Sequence, residues 1–131
     1  MKHKLGMVIM STLLLHVSTS AFFVTISPTP AFIETRCGWF VNPTPANAWL
    51  IDAADEWIIG TQGGEQADGN WPAFKNSQWV KTNGNYGYGC ACMRVTTRKS
   101  DSRITRIHSG YARALSACRS DKALKGKEPK D

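Results

Sequence analysis

Histidine is almost missing from this 131-residue sequence: His3 and His16 lie near the amino terminus, and His108 stands alone beyond them. Catalysis by a nucleophile with an imidazole base within reach therefore has one base to draw on. Ser109 is only its neighbour in sequence, and no Gly-x-Ser-x-Gly elbow occurs. The glycines at 84, 87 and 89 lack a following Lys-Ser or Lys-Thr, which excludes a phosphate-cradling loop. No segment repeats, no apolar heptad persists and glycine has no three-residue period, so solenoid, coiled-coil and collagen readings fail. These absences leave no catalytic residue, no metal site and no cofactor to assign.

Acidic residues are also absent before Glu34, whereas Lys2 and Lys4 open the chain. Leu5 to Val17 is apolar apart from Ser11, Thr12 and His16, and small residues follow. Basic, then apolar, then small is the order of a secretory signal, here residues 1–31. Cleavage fits after Ala31 (Thr29-Pro30-Ala31) or after Ala21 (Thr19-Ser20-Ala21). The alternative, an uncleaved anchor, is the one membrane contact expected, and Ser18, Thr19, Ser20, Pro28 and Pro30 make it a poor bilayer helix. Cys37 follows charged Glu34 and Arg36, far from the apolar run, which argues against lipid attachment. Export would place the protein in the periplasm or outside the cell, with residues 32–125 as one domain and 126–131 as a disordered basic tail.

In an oxidising compartment the four cysteines, Cys37, Cys90, Cys92 and Cys118, read as two disulfides. Cys90 and Cys92 would point to the same face of a strand with distant Cα atoms, so they do not pair with each other. Cys37 then joins one of them and Cys118 the other. Each closed loop would contribute about 3–4 kcal/mol in the chain-entropy picture. If the thiols stayed reduced, Cys90, Cys92, Cys118 and His108 could instead hold zinc or copper(I).

Residues Phe32–Met93 are net acidic, whereas Arg94–Asp131 are strongly basic within an overall charge of +6. Such an excess either meets an anionic partner or is simply a solvated face. Nucleic acid is not expected, because no binding module is recognisable. Asp52, Asp55 and Glu56 cluster between two apolar runs; they are either a solvated turn or the paired carboxylates of a small hydrolase.

Proline and glycine punctuate the chain, which indicates a mainly β fold: a small disulfide-stapled sheet or sandwich of five or six short strands. Cys37–Phe40 is a short apolar piece ended by Asn42-Pro43-Thr44-Pro45. Trp49–Ile51 and Trp57–Ile59 form a hairpin, and 60–70 is loop. Trp71-Pro72-Ala73-Phe74 wedges aromatics against the core. Gln78–Thr82 is a strand, closed by the tight turn Asn83-Gly84-Asn85. Along Tyr86–Thr97, Tyr86, Tyr88, Cys90, Cys92 and Arg94 share one face. Gly87, Gly89, Ala91, Met93 and Val95 share the other, leaving a shallow stripe on which a Trp ring could lie. Arg103–His108 is a strand, and Ser116–Leu124 a short helix carrying Cys118.

Cys37-Gly38-Trp39-Phe40, Asn42-Pro43-Thr44-Pro45, Asn47, Trp49-Leu50, Gln62-Gly63-Gly64, Trp71-Pro72 with Phe74, and the run Asn83-Gly84-Asn85-Tyr86-Gly87-Tyr88-Gly89-Cys90-Ala91-Cys92 resemble domain of unknown function 4087. The resemblance spans about Glu34 to Leu124 and implies a small exported bacterial protein. The family has no assigned activity, so no catalytic residue carries over. Its members begin just before the Cys-Gly-Trp motif, which favours cleavage after Ala31.

Aromatic recognition has the most material. Trp39, Trp49, Trp57, Trp71 and Trp79 are five indoles in a short chain. Three are expected in the core and one or two at the surface, with Trp71, Trp79, Tyr86 and Tyr88 as the exposed set. Together with Asn83 and Asn85 they form the expected binding residues of a non-enzymatic module. Its partner would be an envelope glycan or another protein.

Overall fold

The computed structural model describes residues 21–25 and 31–130, so most of the expected leader and the segment before the Ala31 cleavage site lie outside the described residues. Six strands are present: β1 (Ile33–Thr44), β2 (Asn47–Ile51), β3 (Glu56–Gly60), β4 (Trp79–Asn83), β5 (Tyr86–Arg98) and β6 (Arg103–Arg113). They form one sheet in the order β1-β2-β3-β6-β5-β4, and β1 also pairs with β5. That extra pairing curls the sheet into a five-stranded ring, with β4 appended to β5. β1, β2 and β3 are joined by short turns, and β5 returns by a long connection to lie beside β1. This is the Greek-key arrangement.

The ring is weakest between β3 and β6. There the ladder holds one parallel pair, Ile58 with Arg103. Residues 66–68 are wedged into the gap. Ala67 N–H donates to Ile59 O at 2.8 Å, Asp68 N–H to Thr105 O at 3.0 Å, and Ile107 N–H to Asp68 O at 2.7 Å. The expected 60–70 loop is thus tied to the sheet at its far end.

Alternation along the strands creates two cores. Inside the ring, Phe40, Leu50, Trp57, Ile59, Met93 and Ile104 are buried together. On the outer face of β1 and β5, Trp39, Val41, Tyr88 and Cys90 pack under the carboxy-terminal segment through Cys118 and Leu124. That segment holds a short helix α1 (Leu115–Arg119) and a 3₁₀ turn (Lys122–Leu124). Asp121 breaks the single helix expected here, since its side chain caps Ala123 N–H of the second turn.

The sulfurs pair as Cys37–Cys92 and Cys90–Cys118, and no free cysteine remains among the described residues. The first links directly opposed residues of β1 and β5. The second fastens α1 over the outer core. A zinc or copper(I) site on Cys90, Cys92, Cys118 and His108 is therefore corrected: it needs thiolates, and the described residues hold none. Disulfides of this kind are consistent with an oxidising, exported setting.

Three further features differ from expectation. β1 does not stop at Asn42; it runs through Pro43, because a register shift between Val41 and Thr44 frees that position from the ladder. The expected loose tail is tied down at two of its residues. Lys127 Nζ donates to the carbonyls of Asp52 and Ala53, and Glu128 accepts from Arg119 and from the Tyr88 hydroxyl. Over Gly89 the ring that comes nearest is Phe74 rather than an indole, 2.5 Å from where a Cβ would stand.

Replacing Cys90 and Cys118 together by Ala is expected to cost about 3–4 kcal/mol, read by urea unfolding. Amide exchange in 115–128 should accelerate before the β1–β5 ladder opens. Unchanged protection of that segment would show that the disulfide is not what holds it.

Candidate functional site

The two ends of the ring differ sharply. At the end where β1 begins, Arg36 projects inward with its guanidinium 3.7 Å from the centre of the Trp57 ring. It donates to Asp52 at 2.6 Å and to Glu34 at 2.9 Å. The Thr97 hydroxyl also donates to Glu34. Asp52 further accepts from the backbone N–H groups of Ala54 and Asp55. This end is closed by paired ions.

The electrostatics follow from those contacts. Burial pushes the Asp52 carboxyl up, but the Asp55 N–H, the Arg36 guanidinium and the Ala54 N–H outweigh it and hold the pKa below the usual range. The Thr97 hydroxyl, helped by Arg36, likewise holds Glu34 low. The Ser102 hydroxyl does the same for Asp55. The β2–β3 hairpin carries Asp52, Asp55 and Glu56 as expected, yet Asp52 is buried at 5% exposure and committed to Arg36. Asp52 and Asp55 are both held low, the direction opposite to that of a carboxylic general acid. The paired-carboxylate expectation does not hold for Asp52, whose carboxylate is taken up by Arg36.

At the other end the ring stays partly open, forming a cleft of about 330 Å³. Phe40 lies buried beneath it, with the ring centres of Trp71, Phe74 and Trp79 at 5.6, 5.6 and 6.3 Å. Phe74 and Trp79 pack with their rings tilted by 45° and their centres 4.8 Å apart. Phe74 can lie that low because β5 offers Gly89 beneath it. Asn42, Asn76, Asn85 and Lys81 form the polar part of the lining. Asn42 Nδ2 donates to the carbonyls of Thr44 and Asn47, and Trp79 Nε1 donates to Asn85 O at 3.1 Å. Those bonds fix the rim's shape. Among the described residues, the side chains of Asn76, Asn85 and Lys81 have no protein partner.

The six expected binding residues separate. Trp71, Trp79 and Asn85 line the cleft. Tyr86 is half-buried elsewhere, and Asn83 donates to Pro43 O at 3.4 Å outside the lining. Tyr88 is corrected: even-numbered residues of β5 face away from the ring, so it lies 6% exposed against the edge of Trp39, at 5.5 Å. The indoles also differ from expectation. Trp39 and Trp57 are buried, Trp49, Trp71 and Trp79 are partly buried, and none is fully exposed. Asn42, Phe74, Asn76 and Lys81 were not among the expected site residues. Lys81 had a signal, since Trp79-x-Lys81 on a strand places both on one face.

The basic third is partly neutralised from within. Arg98 and Arg103 pair with Glu65, Arg106 with Asp68 and Arg119 with Glu128. The acidic and basic halves of the sequence thus meet in the fold.

The family described as protein of unknown function (DUF4087) matches residues 31–125. The chain belongs to this family. The DUF4087 match takes in all six strands, both disulfides and the whole cleft, while Lys127 and Glu128 fall beyond it. No curated protein and no solved structure matches the chain.

Replacing Asp52 by Asn is expected to cost about 3 kcal/mol, the low end for a broken buried pair because Glu34 remains beside Arg36. Glu56→Gln, exposed on the same hairpin, should stay within about 0.5 kcal/mol. Since Asp52 and Glu34 have depressed pKa values when folded, their contribution is full above about pH 4–5 and drains away as pH falls through those lower values. Wild type should therefore lose more stability than Asp52→Asn between pH 5 and pH 2; parallel losses would contradict the assignment. Gly89→Ala should displace the Phe74 ring at about 1–3 kcal/mol, visible as a shifted Trp79 fluorescence.

Proposed function

We propose that this protein is an exported, non-enzymatic binding module and that the cleft at the open end of the ring holds a glycan of the cell envelope. The observation that carries this reading is the pairing of an aromatic floor with a rim of amides and one lysine. Trp71, Phe74 and Trp79 offer ring faces, whose negative quadrupole attracts the C–H edges of a sugar. Asn76 and Asn85 can each donate to and accept from hydroxyls or an acetamido group. No carboxylate lines the cleft, so hydrogen bonding there does not depend on the protonation of an acid. A concave hollow of this size suits a small ligand unit better than a flat protein partner, whose interfaces cover about 800 Å² per side.

Two disulfides support export, because the reducing cytosol does not keep such cross-links. The basic, apolar, small order of residues 1–31 supports the same route. Asn76 and Asn85 are exposed, so truncating them leaves the core untouched.

The oxidised protein would be titrated by calorimetry with oligomers of N-acetylglucosamine, of neutral hexose and of uronic acid. Binding of at least one class is expected, weakened about tenfold or more in Asn76→Ala, Asn85→Ala, since each lost hydrogen bond is worth about 0.5–1.5 kcal/mol. Failure of all three classes to bind, or equal binding by the double variant, would end this reading.

A further inference from the structure

Trp71 lines a second hollow as well as the cleft. This one measures about 400 Å³ and lies between Gly69–Trp71 and residues Ile107–Gly110 of β6. It is a constructed feature of the fold. Gly69 holds φ +98°, and a Cβ there would stand 2.1 Å from Ile107 O, so only glycine lets the loop press this closely on β6. The main-chain bonds of Asp68 to Thr105 and Ile107 clamp the same approach. On its other side Pro72 packs over Gly110, 3.1 Å from where a Cβ would be. Trp71 is thereby held between two fixed points, with a hollow on either flank.

The chemistry of the second hollow complements the first. Asn70 and Ser109 are exposed, and neither side chain has a partner among the described residues. His108 is tied through Nε2 to the Thr96 hydroxyl at 2.8 Å, which fixes the ring and leaves Nδ1 for another partner. All three read hydroxyls.

We infer that the second hollow is a further subsite of the same binding site. The ligand is then a chain that crosses Trp71, with one unit in the cleft and a linked unit beside Asn70, His108 and Ser109. A terminal sugar alone would leave this hollow unused. The inference rests on the reading of the cleft as a glycan site. Trp71 is the residue common to the linings of both hollows, and a chain seated in both would pass over it.

The test is a length series of one to six units in each of the three glycan classes, measured against wild type and the variant Asn70→Ala, Ser109→Ala. Affinity is expected to rise at least tenfold from the single unit to the length that spans Trp71, and then to level off. In the variant that gain should vanish while affinity for the single unit stays as in wild type. Affinity independent of length would overturn the second subsite and leave the cleft reading intact, as would a variant that weakens short and long oligomers alike. Absence of binding at every length in every class would remove both.

Discussion

The pairing of β1 with β5 is the constraint on which the rest of the molecule depends. Ten consecutive register pairs, from Ile33 with Thr96 to Asn42 with Gly87, turn an open meander into a ring. Because side chains alternate, this one ladder sets both cores. Phe40 opposite Gly89 points inward, and Trp39 opposite Cys90 points outward. A slip of one residue would send Phe40 out and Trp39 in, exchanging every contact on both faces. The Cys37–Cys92 disulfide lies within the ladder between directly opposed residues, so it removes that alternative covalently. The second disulfide then uses the outward row to fasten the carboxy-terminal segment over Trp39 and Tyr88.

With the ring closed, its two ends have opposite physical characters. Burying ions is expensive unless each finds good partners, and Arg36 has three, Asp52, Glu34 and the Trp57 ring beneath, while Thr97 in turn holds Glu34. That arrangement fills one mouth with fixed, mutually oriented charges. At the other mouth the same ladder ends in Asn42 and Gly87, and the filling groups are rings. Rings of unequal size leave gaps at their edges that a guanidinium network does not. The cleft is the consequence: a core that reaches the surface before it is sealed.

Much of this was legible in the residues, and the unread part has identifiable causes. The mainly β fold of five or six strands, the hairpin at Trp49–Ile59, the turn at Gly84 and the alternating faces of β5 all follow from periods and turn residues that act locally. The partition of the cysteines into 37 with one and 118 with the other was also legible; which of Cys90 and Cys92 each takes depends on the register of two strands far apart in sequence. Tyr88 shows the limit most plainly. Its face was readable from its neighbour Cys90, but whether that face is bare depends on the carboxy-terminal segment, whose sequence looks like a loose basic end. Lys127 and Glu128 anchor it through single contacts to Asp52, Ala53, Arg119 and Tyr88, and no periodicity announces such contacts. The cleft was half legible for a related reason. Trp71 and Trp79 advertise themselves, whereas Asn42 and Asn76 come to the rim only because β1, β4 and the 71–76 turn converge.

The distribution of reactive groups then bears on what such a cleft is for. Every cysteine among the described residues is in a disulfide, and Asp52, Glu34, Asp55, Glu65 and Asp101 are each held by a cation or hydroxyl that lowers the pKa. These groups are engaged in holding strands, turns and the ring's closed end. What is left to face the open end is a set of amides, one lysine and aromatic faces. Groups of that kind recognise by shape and by hydrogen bonds whose strength changes little with pH, and their selectivity grows by adding contacts rather than by adding charge. A site built this way gains affinity chiefly through length. That is why the second hollow beside Trp71 matters to the proposed reading: it extends the row of weak contacts with Asn70 and Ser109, whose side chains have no partner among the described residues.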